Sequence, residues 1–127
     1  METPGEIVTA FLDLWEEPGG FPIAVDRYFT DATVWENHGL LTTTGGPEAL
    51  GFYREFSQST GMAAMKIDVL ALAESGNKVL TERIDHIIDG NGMEVMTVPV
   101  MGIFEIINGR IAAWRDYFDT AVMARSQ

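Results

Sequence analysis

Apolar residues recur at helical spacing from the start of the chain. Ile7, Val8, Phe11, Leu12, Leu14 and Trp15 share one face of an amphipathic helix. Thr3, Pro4 and Glu6 form a capping-box start, and Glu17-Pro18-Gly19-Gly20 stops the pattern. A second short helix is predicted over Pro22 to Tyr28, and a strand rich in Thr, Val and Trp over Ala32 to Asn37. Leu40 to Thr44 reads as loop, after which Gly45-Gly46-Pro47 opens a third helix running to about Ser59. From Met65 onward the chain is predicted to be β. Turn signals at Ser75-Gly76-Asn77, Asp89-Gly90-Asn91-Gly92 and Asn108-Gly109 separate four runs: Met65 to Glu74, Lys78 to Ile88, Met93 to Ile107 and Arg110 to Phe118. These make a meander of long antiparallel strands, and Pro99 and Gly102 in the third run predict a bend or bulge and a curved sheet. Three N-terminal helices against that sheet give an α+β cone with a deep apolar pocket between the layers, in one domain spanning 1–127.

Composition narrows what such a pocket can do. The 127 residues are 46% hydrophobic, and 8 basic against 19 acidic side chains leave a formal charge of -11. Folding at this length removes roughly two-thirds of the unfolded chain's surface from water, enough for a core with a pocket but not for two cores. The absence of Cys excludes disulfides, a thiolate nucleophile and Cys-ligated zinc, and a cytoplasmic location fits. His38 and His86 lack the i, i+4 spacing of a local metal pair, so no metal is expected. The acidic balance, with no basic run, disfavours nucleic acid and anionic membranes. The opening METPGEIVTAFLDLW has no basic n-region and is interrupted by Thr and Asp, so it reads as neither signal peptide nor span.

Alternation along the strands then exposes polar groups on apolar faces. Ala112, Trp114, Asp116 and Phe118 share one face of the last run, with Ile111, Ala113, Arg115 and Tyr117 on the other. A carboxylate between two aromatics must find a partner or shift its pKa upward, as a general base near neutral pH requires; an ion pair or an edge position open to water is the plainer alternative. Arg83 and Asp85 project from one face together with Thr81 and Ile87. A guanidinium offers donors in a fixed fork, enough to bind two carboxylates at once in an Asp-Arg-Asp array, or simply to make an exposed pair. Trp35 and Asn37 form a similar i, i+2 pair, the Asn aiming its amide at a water or ending its strand in a turn. Tyr53 points its hydroxyl into the cavity or sits in the core. Met62, Met65, Met93, Met96 and Met101 read as pocket or interface filling, His38 as a loop residue, and His86 as facing away from Arg83 and Asp85.

The segment GIFEIINGRIAAWRDYFD, Gly102 to Asp119, and the earlier TERID, Thr81 to Asp85, resemble the limonene-1,2-epoxide hydrolase family. The run Trp114-Arg115-Asp116-Tyr117-Phe118-Asp119 matches that family's closing strand residue for residue. The helical N-terminus, the stretch from Tyr28 to Asp31 and the strand bearing Asn37 match more loosely. The resemblance implies the cone-shaped fold shared with nuclear transport factor 2, ketosteroid isomerase and SnoaL-like proteins, usually as homodimers. It also implies a cofactor-independent enzyme that adds water to a small or medium apolar epoxide. Asp116 would then be the general base, Asp85 the general acid, Arg83 their bridge and Asn37 a holder of the water. Trp35, Tyr53, Trp114 and Phe118 would line the substrate pocket.

One position departs from the family pattern. The family's water is held in addition by a Tyr two residues before the Asn; this chain has Trp35 there, and indole only donates. Tyr53 or a backbone group then substitutes, or the pocket suits a different epoxide, or the reaction has changed. The alternatives are an epoxide-opening cyclase that uses an internal hydroxyl and a non-catalytic small-molecule binder. Met and Ile on the long strands permit a sheet-mediated homodimer.

Overall fold

Two orphan amides at the first helix are satisfied by the predicted capping box. Thr3 Oγ1 accepts from the Glu6 N–H at 3.1 Å, and the Thr3 N–H donates to Glu6 Oε1 at 2.8 Å. The computed structural model describes residues 2–122, leaving Met1 and 123–127 of the predicted domain outside it. Helix α1 is Pro4–Leu14 and buries Ile7, Val8, Phe11 and Leu12. Gly19, in the left-handed region at φ 74°, turns the chain into α2 (Gly20–Tyr28). This helix starts two residues before the predicted Pro22, because a proline in the first turn lacks only an N–H that has no intrahelical acceptor.

Strand β1 (Phe29–Asn37) begins three residues earlier than predicted, and Leu41–Thr44 is not a loop but strand β2, paired antiparallel with β1. Its short TTT run lacks the apolar alternation that marks a strand, and pairing with β1 compensates. Helix α3 (Gly45–Thr60) ends at Gly61, φ 77°, and β3 (Met62–Ser75), β4 (Lys78–Asp89), β5 (Glu94–Ile107) and β6 (Arg110–Tyr117) form the expected meander.

The sheet order is β2-β1-β6-β5-β4-β3. β1 joins β6 in parallel, making the sheet mixed, while the other neighbours are antiparallel. The sheet is curved as expected, but of the bend or bulge predicted at Pro99 and Gly102 there is no bulge: both pair in register with β4, opposite Ile84 and Thr81. Pro99 is tolerated because it lies beyond Tyr117, the last paired residue of β6, which sits opposite Met101. The irregularity in β5–β6 falls instead at Glu105/Ile106. It turns Ile111 inward, fully buried, contrary to the outward face predicted by strict alternation.

The helices cover one face of this curved sheet, an α+β arrangement with the core between them. Phe11 is the hub, with ring centroids 6.0 Å from Phe29, 6.1 Å from Phe104 and 5.4 Å from Trp114. Met62, Ile87, Met96, Val98 and Val100 form a second cluster. Met65 packs against both clusters, whereas Met93 and Met101 are exposed on the outside. No helix among the described residues is long and apolar enough to cross a membrane.

Candidate active site

The pocket opens where the two clusters meet. Its wall on β4 is set by alternation: Val79, Thr81, Arg83, Asp85 and Ile87 all point inward and are buried. Arg83 has no exposed surface, and all its N–H groups have acceptors. Nε donates to Asp85 Oδ1 at 3.2 Å and Nη2 to Asp85 Oδ2 at 3.1 Å. Nη2 also donates to Asp116 Oδ2 at 2.9 Å, and Nη1 to Asp116 Oδ1 at 3.1 Å and Thr81 Oγ1 at 3.1 Å. The Thr81 hydroxyl in turn donates to the Gly102 carbonyl at 3.1 Å. Two bidentate carboxylates on one guanidinium make the array that the sequence suggested. The Arg83 guanidinium also lies 5.8 Å from the centre of the Trp15 ring.

The facing wall comes from the parallel pair. Trp35 is in register with Trp114, and Asn37 with Asp116, so an aromatic rung precedes a polar rung. The two indoles stack at 4.4 Å and 6°, and Phe104 stacks on the far side of Trp114 at 5.3 Å. The Trp114 N–H donates to Asp116 Oδ1 at 2.7 Å. Trp15 Nε1, Trp35 Nε1 and Asn37 Nδ2 are buried without an acceptor.

The cavity is lined by Asp85, Asp116, Asn37 and Trp35 together with Tyr53, Trp114 and Phe118. Every predicted site residue is therefore at the cavity except Arg83, which lies wholly behind its two carboxylates. Tyr53 is half-buried on the cavity wall, its ring packed against the core and stacked on Phe21 at 4.8 Å. Met62 and Met65 add apolar lining. His86 faces outward, bound to Asp68 at 2.8 Å and to Glu94, and exposed His38 contacts Glu36 and the Tyr117 ring. Thr81 and Gly102 had no assigned role in the array. A glycine inside a strand is the signal that could have found Gly102, since it often marks a close approach.

Burial pushes the Asp85 carboxyl above the usual carboxylate range, against the opposing pull of Arg83. For Arg83 burial works against the charge, but Asp116 and Asp85 outweigh it and hold the proton more firmly than in an ordinary guanidinium. With both carboxylates ionised the array carries one net negative charge in an apolar wall; a single proton neutralises it.

The fold and this array define an NTF2-like α+β protein with two carboxylates bridged by a buried arginine. A family model described as the limonene-1,2-epoxide hydrolase catalytic domain matches residues 3–127, and the chain belongs to that family. It is 36% identical over 95 residues to the epoxide hydrolase EphG of Mycobacterium tuberculosis (strain ATCC 25618 / H37Rv), a match covering 75% of this chain and 60% of that relative's length. The solved structure of an M. tuberculosis LEH-like epoxide hydrolase aligns at TM-score 0.73 and 31% identity, covering 97% of this chain and 87% of the other. An NTF2-like protein of unknown function from Burkholderia pseudomallei K96243 aligns at TM-score 0.78 and 23% identity, covering 98% and 97%, which bears on the fold alone.

Proposed function

We propose that this protein is a cofactor-independent epoxide hydrolase that adds water to a small or medium apolar epoxide in one step. The observation that carries the reading is the Arg83 guanidinium held bidentately between Asp85 and Asp116 at the wall of an apolar pocket. Arg83 lets the two carboxylates share one proton, and burial favours its residence on Asp85. Asp85 then donates that proton to the epoxide oxygen as the carbon–oxygen bond breaks. Water forms the new bond from the opposite side of the carbon and yields its proton to Asp116. The product is a vicinal diol, and the proton returns from Asp116 to Asp85 before the next turnover. Ring strain supplies driving force, and the apolar wall keeps other water away from the opening ring.

Asn37 holds the attacking water by its amide, a role supported by its register with Asp116. Trp35, Tyr53 and Phe118 shape the pocket for the apolar part of the substrate. Trp35 can donate to water but cannot accept, so orientation of the water's hydrogens falls to Asp116 and Asn37. The exposed Leu80, Val95 and Met101 support a homodimer through the outer face of the sheet.

The test is incubation with cyclic and acyclic apolar epoxides in heavy-oxygen water. Wild type is expected to yield diol carrying one labelled oxygen, and Asp116→Asn and Asp85→Asn to lose at least about a thousandfold in kcat while staying folded. Turnover retained by either variant contradicts the assignment. Product without label points to an internal hydroxyl and hence to a cyclase.

A further inference from the structure

Asp116 has two oxygens in unlike surroundings. Oδ1 accepts from Arg83 Nη1 at 3.1 Å and from Trp114 Nε1 at 2.7 Å, which uses both of its lone pairs. Oδ2 accepts from Arg83 Nη2 at 2.9 Å and keeps one lone pair. Gly102, opposite Asp116 on β5, closes the Oδ1 side: a Cβ there would stand 2.4 Å from Oδ1, 2.4 Å from Arg83 Nη1 and 3.2 Å from Thr81 Oγ1. The strand backbone thus packs directly against the occupied oxygen, and a side chain at this position would push the array apart.

Trp114 is placed for one task. It is 1% exposed and sandwiched between Trp35 and Phe104, so its indole plane is fixed from both faces. Its N–H has no freedom to seek another acceptor, and the i, i+2 spacing on β6 brings it to Asp116. Little of this residue is left to touch a substrate.

We propose that Trp114 is a positioning residue, which together with Arg83 and the gap left by Gly102 occupies Oδ1 of Asp116 and assigns proton abstraction to Oδ2. The inference rests on the hydrolase reading, which makes Asp116 the base. No new bond chemistry is involved. The indole N–H fixes the rotation of the carboxylate and selects the oxygen that meets water.

Two replacements remove the donor and keep the ring. Trp114→Phe leaves an aromatic side chain between Trp35 and Phe104. Incorporation of benzothienylalanine at 114 preserves the bicyclic shape with sulfur in place of N–H, and it decides the matter where the Phe variant misfolds. The expected result for the isostere is a kcat lower by about ten- to a hundredfold, with KM within about twofold of wild type. The pH profile of its kcat also changes, since the lost donor acts on the base itself and not on substrate binding. A merely structural tryptophan predicts instead a lowered melting temperature with kcat and its pH profile unchanged, and that result overturns the proposal. Wild type that hydrolyses no epoxide overturns the hydrolase reading itself. Wild type that does so while the isostere matches it overturns this inference alone.

Discussion

Arg83 sets the terms for both carboxylates because its donors have fixed directions, which a lysine ammonium on a flexible stem cannot reproduce. The arrangement is costly when every group is charged, and Asp85 is where the cost appears, since burial raises its hold on the proton. The sign of the consequence follows. Unfolded Asp85 loses its proton near pH ~3.9, while the folded residue keeps it to higher pH. Over that window the native state binds more protons than the unfolded state, so stability falls as pH rises through the raised value. Asp85→Asn removes the titration. Its stability relative to wild type is therefore expected to improve as pH rises above about 4 and through the raised folded value, read as the difference in urea midpoints at each pH. A pH-independent difference contradicts this. Asp116 was legible because strand alternation sets its charge between two aromatics, whereas for Arg83 and Asp85 alternation left an exposed pair open and the resemblance of the TERID segment singled them out. Gly102 and Thr81 were not legible, since their roles arise from the register between β4, β5 and β6, which no spacing within a single strand encodes.

At the scale of elements, local signals carried far and long-range pairing did not. Thr3 and Glu6 marked the start of α1, and each Gly- or Asn-rich turn fell between the strands it was read to separate. The parallel pairing of β1 with β6 joins segments more than half the chain apart, and neither strand's own pattern names its partner. Yet that pairing brings Asn37 to Asp116 and Trp35 to Trp114, so half of the site depends on it. The bulge that turns Ile111 inward was equally hidden, because a two-residue alternation assumes unbroken register. Outside the pocket, His86 on β4 ties three strands together through Asp68 on β3 and Glu94 on β5. Hydrogen bonds to Glu94 and Asp68 raise its proton affinity above that of an ordinary imidazole. This contribution is fully present below the unfolded value near pH ~6.5 and disappears as pH rises through the higher folded value. His86→Gln is expected to flatten the fall in stability above about pH 6.5 and to leave the Asp85-dependent change in place. Thermal unfolding of both single variants and the double variant across that range separates the two contributions, and an unchanged slope in His86→Gln excludes a contribution from its bonds to Asp68 and Glu94.

For the whole molecule, a formal charge of -11 opposes any association of two copies, and the apolar positions on the outer sheet face favour it. The proposed dimer must balance these effects, which makes its dependence on salt diagnostic. Raising ionic strength shortens the screening length to about 8 Å near 0.15 M and weakens repulsion between the two acidic surfaces, while apolar contact is little affected. Association through Leu80, Val95 and Met101 is therefore expected to tighten as sodium chloride rises, whereas a dimer held by interchain ion pairs would loosen. Sedimentation velocity over a salt series distinguishes the two. In a two-fold dimer one substitution alters the interface twice, so Met101→Glu adds two charges to an apolar contact and is expected to give monomer even at high salt. The neighbouring strand position clarifies the effect on activity. Met101 points outward next to Gly102, whose own inward side bounds the Asp116 pocket. If the dimer merely adds stability, Met101→Glu retains kcat at temperatures well below its unfolding. If contact across the outer face holds β5 against Asp116, kcat falls with the loss of dimer, and the fall is reversed by a crosslink that restores it.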